Sequence, residues 1–344
     1  MDDLTERQKI LLTMIIHEFV RTALPVGSLT LVDRYHLEMS SATVRNEMAV
    51  LTELGYLRQP HTSAGRVPSE EGYRYFVSNL LQESDLPEPM RHTISHQFYQ
   101  MRHDVEQWMR LAASVLAKQS KGASLVTAPH NEAPQLKHLE LISTRGHQIL
   151  AILVLFGGEV RQRYLNLPEQ ATQDYLSETS RMITAELQLF GEHLSEEFLA
   201  HLDGLQQEIL AWVLQELEQA KVSVTGEVFL DGLTNILSEP EFIGNLENRR
   251  AIHLLEERSL LQDLLSRTIL SETVGSVQVL IGGEGTFEDL RQCSIVLARY
   301  GTPGLATGTL GVLGPMRMPY GRTISTVRFI SNLLSSMVTE TLTD

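Results

Sequence analysis

The sequence predicts a multi-domain α+β chain, and three features carry that expectation. Three helical stretches crowd into about the first fifty-five residues and run directly into a short hairpin. Strand-like apolar runs stand far apart, at residues 136–165 and 277–313, as the pieces of one sheet split in sequence would. Between them, residues 170–272 read mostly helical and look like an insertion. A length of 344 residues allows two or three bodies, and a hydrophobic content of 42% is enough to give each a core.

The first helix opens at Thr5 with Gln8 at capping-box spacing, and Ile10, Met14 and Ile15 continue its apolar stripe. Leu24-Pro25-Val26-Gly27 breaks it. Ser28 is placed to cap a short second helix through Tyr35, and His36-Leu37-Glu38-Met39 turns into a third. The third starts at Ser40 or Ser41, where a hydroxyl can satisfy an orphan N–H of the first turn, and ends at Gly55. Val44, Met48 and Leu51 recur at spacings of four and three and face inward. Ser41, Thr43, Arg45 and Asn46 are then left on the outer face.

A helix that reads bases from a major groove needs hydrogen-bonding side chains of this size near its N-terminus. Arginine pairs in bidentate fashion with guanine and asparagine with adenine, which gives Arg45 and Asn46 a defined use. After Gly55, Tyr56-Leu57-Arg58-Gln59 reads as a strand, His61-Thr62-Ser63-Ala64-Gly65 as a loop and Arg66-Val67 as the return strand. Arg58, His61, Thr62, Ser63 and Arg66, with the N–H groups of a flexible Gly65 tip, suit phosphates or a minor groove, and Ser28 is expected at the same DNA-facing surface. Three helices followed by such a hairpin read as a winged helix-turn-helix whose partner is double-stranded DNA.

The formal net charge of −15 opposes a polyanionic partner on its face, because phosphate binding needs local positive charge. Its distribution weakens that objection. Residues 1–80 hold eight Lys or Arg against ten Asp or Glu, so the acidity belongs mainly to the rest of the chain. The reading segment is still not basic overall. Its affinity is therefore expected to depend on a few well-placed arginines and on doubling the site in a dimer.

Further on, Asp85-Leu86-Pro87-Glu88-Pro89 reads as a linker, and residues 90–119 as one long helix. Ile94, Phe98, Met101, Val105, Trp108, Ala112 and Val115 lie along it in heptad spacing. That stripe is equally suited to a dimer seam and to packing along its own domain. Leu136–Ile142 and Gln148–Phe156 read as strands, and Gly157-Gly158 is a hairpin signal leading to Val160–Leu165. The matching half of this sheet is expected from Val277–Ile281, Cys293–Tyr300 and Leu305–Leu313. A closing helix at 323–342 puts Ile324, Val327, Leu334 and Val338 on one side. In the helical stretch between, one stripe is Phe198, Leu202, Leu205, Ile209 and Trp212, and another is Leu254, Leu261 and Leu265.

Nothing in the sequence supports catalysis. The twelve histidines are scattered, there is no HExxH and no paired-cysteine set, and Gly282-Gly283-Glu284-Gly285 lacks the Lys-Ser/Thr of a phosphate-binding loop and reads as a tight turn. Arg317 and Arg322, flanking Met318-Pro319-Tyr320, suit either an anion or a domain interface. The lone Cys293 sits in an apolar run and is expected to be a buried structural thiol. No cofactor or metal site is expected. With no apolar run near 18 residues and an acidic Met1-Asp2-Asp3 start, no membrane partner is expected and the location expected is cytoplasmic.

Several blocks together resemble a known family. They are Pro25-Val26-Gly27-Ser28, Ser41 through Met48, Pro60 through Pro68 and Gly72-Tyr73-Arg74-Tyr75-Phe76-Val77 at the N-terminal end. Far downstream stand Val228 through Leu237 with Pro240-Glu241-Phe242, and Gly308 through Pro315 with Arg317, Met318 and Tyr320. The chain is similar, over nearly its whole length, to the HrcA family of heat-inducible transcription repressors. It departs from the usual pattern in Ile281-Gly282-Gly283-Glu284-Gly285, where the family has an Ile-Gly-x-Glu-Asn stretch, and at Met316, where threonine is usual.

The resemblance implies a sheet domain similar to the GAF fold, interrupted by an inserted dimerising domain. The expected divisions are a DNA-binding domain at 1–84, a linker and long helix at 85–121, GAF-like parts at 122–169 and 273–344, and the insertion at 170–272. It also implies a homodimer that represses chaperone genes from an inverted-repeat operator called CIRCE. Its activity would be supported by the chaperonin GroEL and lost when heat diverts the chaperonin to unfolded protein. A regulator of another kind, whose sheet domain answers to a small molecule, is the alternative expectation.

Overall fold

A computed structural model describes residues 4–62, 64–82, 85–101, 104–130, 135–145, 147–155, 160–166, 170–191, 194–222, 227–243, 273–282 and 290–343, with residues 250, 253, 255, 257, 260, 261, 264, 265 and 268 between. The architecture is mixed α and β. The chain divides into two compact units, one of residues 1–128, 227–300 and 308–337, the other of residues 129–226, 301–307 and 338–344.

The first unit begins with α1 (Glu6–Thr22), α2 (Ser28–Tyr35) and α3 (Ser41–Glu53), followed by a hairpin of β1 (Leu57–Arg58) and β2 (Val67–Pro68). Thr5 and Gln8 cap α1 reciprocally, as their spacing predicts. Its buried face is Leu11, Leu12, Ile15 and Ile16, whereas Ile10 is exposed. The expected stripe was rotated by about one residue, because an unbroken Ile10–Met14–Ile15 reading and a Leu11–Leu12–Ile15–Ile16 reading have nearly the same period. At the start of α2, Gly27 occupies the capping position and Ser28 is the first helical residue, buried and making no capping bond.

The expected single helix at 90–119 is two, α5 (Glu88–Gln100) and α6 (Val105–Ser120); α4 (Glu70–Tyr75) and a π-helical turn, Phe76–Leu80, precede them. Asp104 makes the break. Its carboxylate accepts from the Gln107 N–H at 3.1 Å and starts a new helix, while the Trp108 indole donates to the Met101 carbonyl at 2.7 Å. Ile94, Phe98, Trp108, Ala112 and Val115 are buried within the one chain, Met101 is half-buried and Val105 exposed, so most of the heptad stripe packs along its own unit.

The sheet of this unit has five strands in the order β7-β3-β10-β9-β8: β3 (Ala123–Thr127), β7 (Val228–Asp231), β8 (Val277–Ile281), β9 (Cys293–Thr302) and β10 (Ala306–Pro315). Its pairings β7·β3, β3·β10 and β8·β9 are antiparallel. Leu125, Cys293, Ile295, Leu297 and Leu313 meet Ile236 of α10 (Leu233–Leu237), Phe242, Leu261 and Leu264 on one side. On the other, the Ser124 hydroxyl donates to Ala113 of α6, and Ser294 meets Tyr320 at the start of the C-terminal helix Tyr320–Thr343. With both faces covered, every residue of β10 is buried. Gly308 lies against the Tyr300 ring, where an added Cβ would come within 2.6 Å.

The expectation that 136–165 begins this same sheet is corrected. β4 (Leu136–Ser143), β5 (Gln148–Leu155) and β6 (Val160–Asn166) form a separate antiparallel three-stranded sheet in the second unit. Of the described strands before residue 170, β3 alone, five residues long and wholly buried, joins the distant strands. Ile149, Ala151, Leu153 and Leu155 pack on α7 (Gln173–Phe190) and α9 (Gly204–Val222), which completes a core of its own. In the predicted stripe, Leu202, Ile209 and Trp212 are buried, and the chain breaks between α8 (Glu196–His201) and α9. Gly157, Gly158, Leu254 and Gly283 through Gly285 lie outside the described residues.

Candidate nucleic-acid interface

α3 is held by its inner face. Val44, Met48 and Leu51 are buried, and the Glu47 carboxylate binds Gln8 at 3.1 Å and Arg7 at 3.4 Å on α1. Ser40 is the cap, its hydroxyl oxygen accepting from the Thr43 N–H at 3.1 Å, so Ser41 is the first residue of the helix. Opposite the buried face, Arg45 and Asn46 are exposed, and neither makes a hydrogen bond or ion pair among the described residues. Ser41 and Thr43 are half-buried beside them. Fixed on one side and unpaired on the other, this helix can present a guanidinium and a carboxamide to a groove without first breaking an internal contact.

A second brace is Glu18 of α1, which is 4% exposed. Its carboxylate meets Arg21 at 2.6 Å and Arg34 of α2 at 3.1 Å, tying the first two helices together. No periodicity in the sequence marks it, because a carboxylate on a helix normally stands in solvent.

Arg58, His61 and Thr62 are exposed on the hairpin. Its loop is shaped by Gln59, which the sequence reading passed over: the Gln59 side-chain amide donates to the carbonyls of Thr62 at 2.9 Å and Ala64 at 3.0 Å. Ser63 lies outside the described residues. Gly65 is not a flexible tip. Val26 and Arg66 exchange backbone hydrogen bonds of 2.8 and 2.9 Å, and a Cβ on Gly65 would stand 2.3 Å from the Val26 carbonyl oxygen. Only glycine permits that approach, so the Pro25-Val26-Gly27 break serves as a third extended segment beside the hairpin. Arg66 is likewise partly committed, its Nε donating to Thr52 of α3 at 3.0 Å. Ser28, also expected at this surface, is buried.

Behind the hairpin, α4 joins the helices to the five-stranded sheet within the same unit. Tyr73 is 1% exposed and packs against Tyr320, their rings 5.9 Å apart. Arg74 donates to the Ile281 carbonyl at 3.2 Å, and Gly282, at φ +65°, leaves room for the Glu70 carboxylate. Burial pushes the Tyr73 and Tyr320 hydroxyls well above the ordinary tyrosine range. The Tyr320 hydroxyl meets Ser294 and donates to the backbone carbonyl of Met316, each at 2.7 Å. A backbone acceptor keeps that contact whichever side chain stands at 316. Burial also pushes the Cys293 thiol up to about 12, which suits a structural residue and not a nucleophile.

Among the described residues no group of three or more His, Cys, Asp or Glu is placed to hold a metal ion. No described helix is long and apolar enough to cross a membrane.

Comparison with known proteins gives these features a context. Residues 106–324 match the family described as HrcA protein C terminal domain. The heat-inducible transcription repressor HrcA of Roseiflexus castenholzii is 42% identical over 98% of this chain and 95% of its own length. Those of Chloroflexus aurantiacus and Ruminiclostridium cellulolyticum are 40% and 33% identical, each over 98% of this chain and over 94% and 99% of their own lengths. A crystal structure of a protein described only as hypothetical superposes with a TM-score of 0.57 at 22% identity, covering 98% of both chains, and shares the fold. The relatives are named as transcription repressors. With the family match spanning more than half of the chain and these relatives nearly all of it, the chain belongs to the HrcA family of heat-inducible transcription repressors.

Proposed function

We propose that residues 4–80 form a winged helix-turn-helix that lays α3 in the major groove of an operator, and that the protein represses heat-shock chaperone genes as a homodimer. The observation that carries this reading is the pair Arg45 and Asn46, exposed and unpaired on a helix whose opposite face is locked to α1. Arg58, His61 and Thr62 on the adjoining hairpin would hold flanking phosphates. Two copies related by a two-fold axis would read the halves of an inverted repeat, the CIRCE operator that family membership points to.

The dimer reading is supported by the three-stranded sheet. Its inner face is packed, but the outer face carries cross-strand rows Ile142–Leu150–Tyr164, Glu140–Ile152–Gln162 and His138–Val154–Val160. Ile142 is 38%, Val160 58% and Tyr164 60% exposed. An open sheet face this apolar costs solvation free energy unless a second surface covers it, and a second copy of the same face is the partner we assign to it. The unit around it is then the inserted dimerising domain, and the five-stranded sheet the GAF-like one.

Support by the chaperonin GroEL fits a repressor whose binding-competent dimer is only partly populated unaided. The test is a binding-site selection with the purified protein, followed by gel shifts on the selected duplex with and without chaperonin. Enrichment of an inverted repeat is expected, with a larger active fraction when chaperonin is added. Recovery of unrelated sequences would refute the operator reading, and an unchanged active fraction would remove the chaperonin from it.

A further inference from the structure

A cleft of about 430 Å³ in the first unit is lined from four parts of the chain that are distant in sequence: the end of α1, the end of α6, Glu239 just after α10, and residues 314–322 leading into the C-terminal helix. Its walls carry four cations, Arg21, Lys121, Arg317 and Arg322, against one carboxylate, Glu239. In a chain of net charge −15 such a grouping is not a product of composition. Two of the four are already neutralised. Arg21 pairs with Glu18, and Arg317 with Glu239 and Glu241, while a further Arg317 N–H reaches the Val20 carbonyl at 3.5 Å. The other two are not. Arg322 donates only to the neutral Gln119 amide, at 2.5 Å, and Lys121 has no partner among the described residues. The volume falls within the usual range of small-molecule sites.

We propose that this cleft binds a small polyvalent phosphate, a di- or triphosphate or its ester, with Lys121 and Arg322 supplying the main contacts. A phosphate chain matches the cluster because guanidinium donates to phosphate oxygens in paired fashion and the ammonium adds a point charge beside it. A monovalent carboxylate would leave one of the two unneutralised cations, Lys121 or Arg322, uncompensated. Because the walls include Val20 and Arg21 of α1, an occupant touches the same helix that braces α3. A consequence for operator affinity rests on the proposed DNA-reading role; the binding itself does not.

The experiment uses the full chain without DNA, in magnesium-free buffer, titrated calorimetrically with sodium tripolyphosphate and with ATP, with melting curves run beside sodium chloride of equal ionic strength. Saturable binding and a rise in Tm above the chloride control are expected. Tighter binding of ATP would identify an esterified ligand, and equal binding the phosphate chain alone; both support the site. In Lys121→Asn/Arg322→Gln the affinity is expected to fall roughly tenfold or more, the scale of losing one good charged contact. Arg322→Gln alone, at an exposed position, carries the same comparison if the double variant fails to fold. A Tm that follows ionic strength only, or equal affinity in the variants, would overturn the proposal and leave these cations the role of neutralising the ends of α1 and α6. Loss of non-specific duplex binding in the variants without any small-anion binding would assign them to a DNA backbone and equally overturn it.

Discussion

The two larger sheets are written in similar apolar alphabets and meet opposite fates. β5, Gln148–Leu155, alternates buried and half-exposed residues along its whole length, one face against α7 and α9 and the other open. β10, Ala306–Pro315, is buried at every position, between α6 and the C-terminal helix on one side and the α10 region on the other. What differs is less the strand than what the chain supplies around it. Three glycines, Gly308, Gly311 and Gly314, let neighbouring side chains close over β10: Tyr300, Leu297 and Met318 each come nearer than a Cβ would allow. β5 has no glycine, and its open face keeps large side chains that this chain leaves partly in water. A sheet sealed within its chain points to stability, and one left open points to a partner.

Five variants sharpen or break that contrast. The largest effect is expected from Ile152→Asp at the centre of the open face. It should convert the proposed dimer to a monomer in analytical ultracentrifugation and weaken binding to the proposed operator by about 10²–10⁴, the contribution of a linked second site. A variant still dimeric at the same concentrations would place the interface elsewhere. Next, Arg45→Ala should cost roughly 1–3 kcal/mol of operator binding and relax specificity at one base pair, leaving the dimer intact. Arg66→Ala should weaken all duplexes alike and flatten the salt dependence. Because Arg66 also donates to Thr52, it should in addition lower the Tm slightly. Equal, salt-independent losses for the two arginines would contradict both roles.

In the sealed sheet, Gly308→Ala should destabilise by about 1–3 kcal/mol, as over-packing does, with no effect on the monomer–dimer equilibrium beyond that. An unchanged Tm would mean that Tyr300 moves aside freely. The smallest effect concerns His17, whose ring stands edge-on to Phe76 at 5.7 Å and whose pKa is held below its ordinary value of 6.5 by burial. A folded pKa below the unfolded one means that the unfolded chain takes up the proton first. Stability should therefore decline as pH falls below about 6.5, until the folded pKa is passed. His17→Gln should flatten that decline in chemical denaturation followed from pH 7.5 to 5, and identical slopes would remove His17 as a contributor.

Much of the proposed DNA-reading helix was legible in advance. Ser40, Val44, Met48, Leu51 and Gly55 mark the cap, the buried stripe and the stop of α3, all set by interactions within a few residues. Legibility failed where the deciding partner was remote in sequence. Gly65 reads as a loop glycine until Val26 is seen beside it, and Arg66 as a free cation until Thr52 accepts its Nε–H. The break at Asp104 had a local signal, a capping residue inside a heptad stripe. The apolar stripe, which continues in phase beyond it, hides that signal.

From the sequence alone came most of the helices and strands in their order, the caps of α1 and α3, the outward set Arg45 and Asn46, and the family resemblance. Periodicity and capping are short-range, and the chain carries them wherever it folds. Which strands share a sheet was decided only in three dimensions. An apolar run from 136 to 155 satisfies any sheet whose helices cover it. It was α7 and α9, packing on Leu153 and its neighbours, that claimed β4–β6 for a second unit, while Ser124 and Leu125 drew β3 to α6 and β10. Pairing depends on which apolar surfaces find each other across long loops, and no local pattern records that choice.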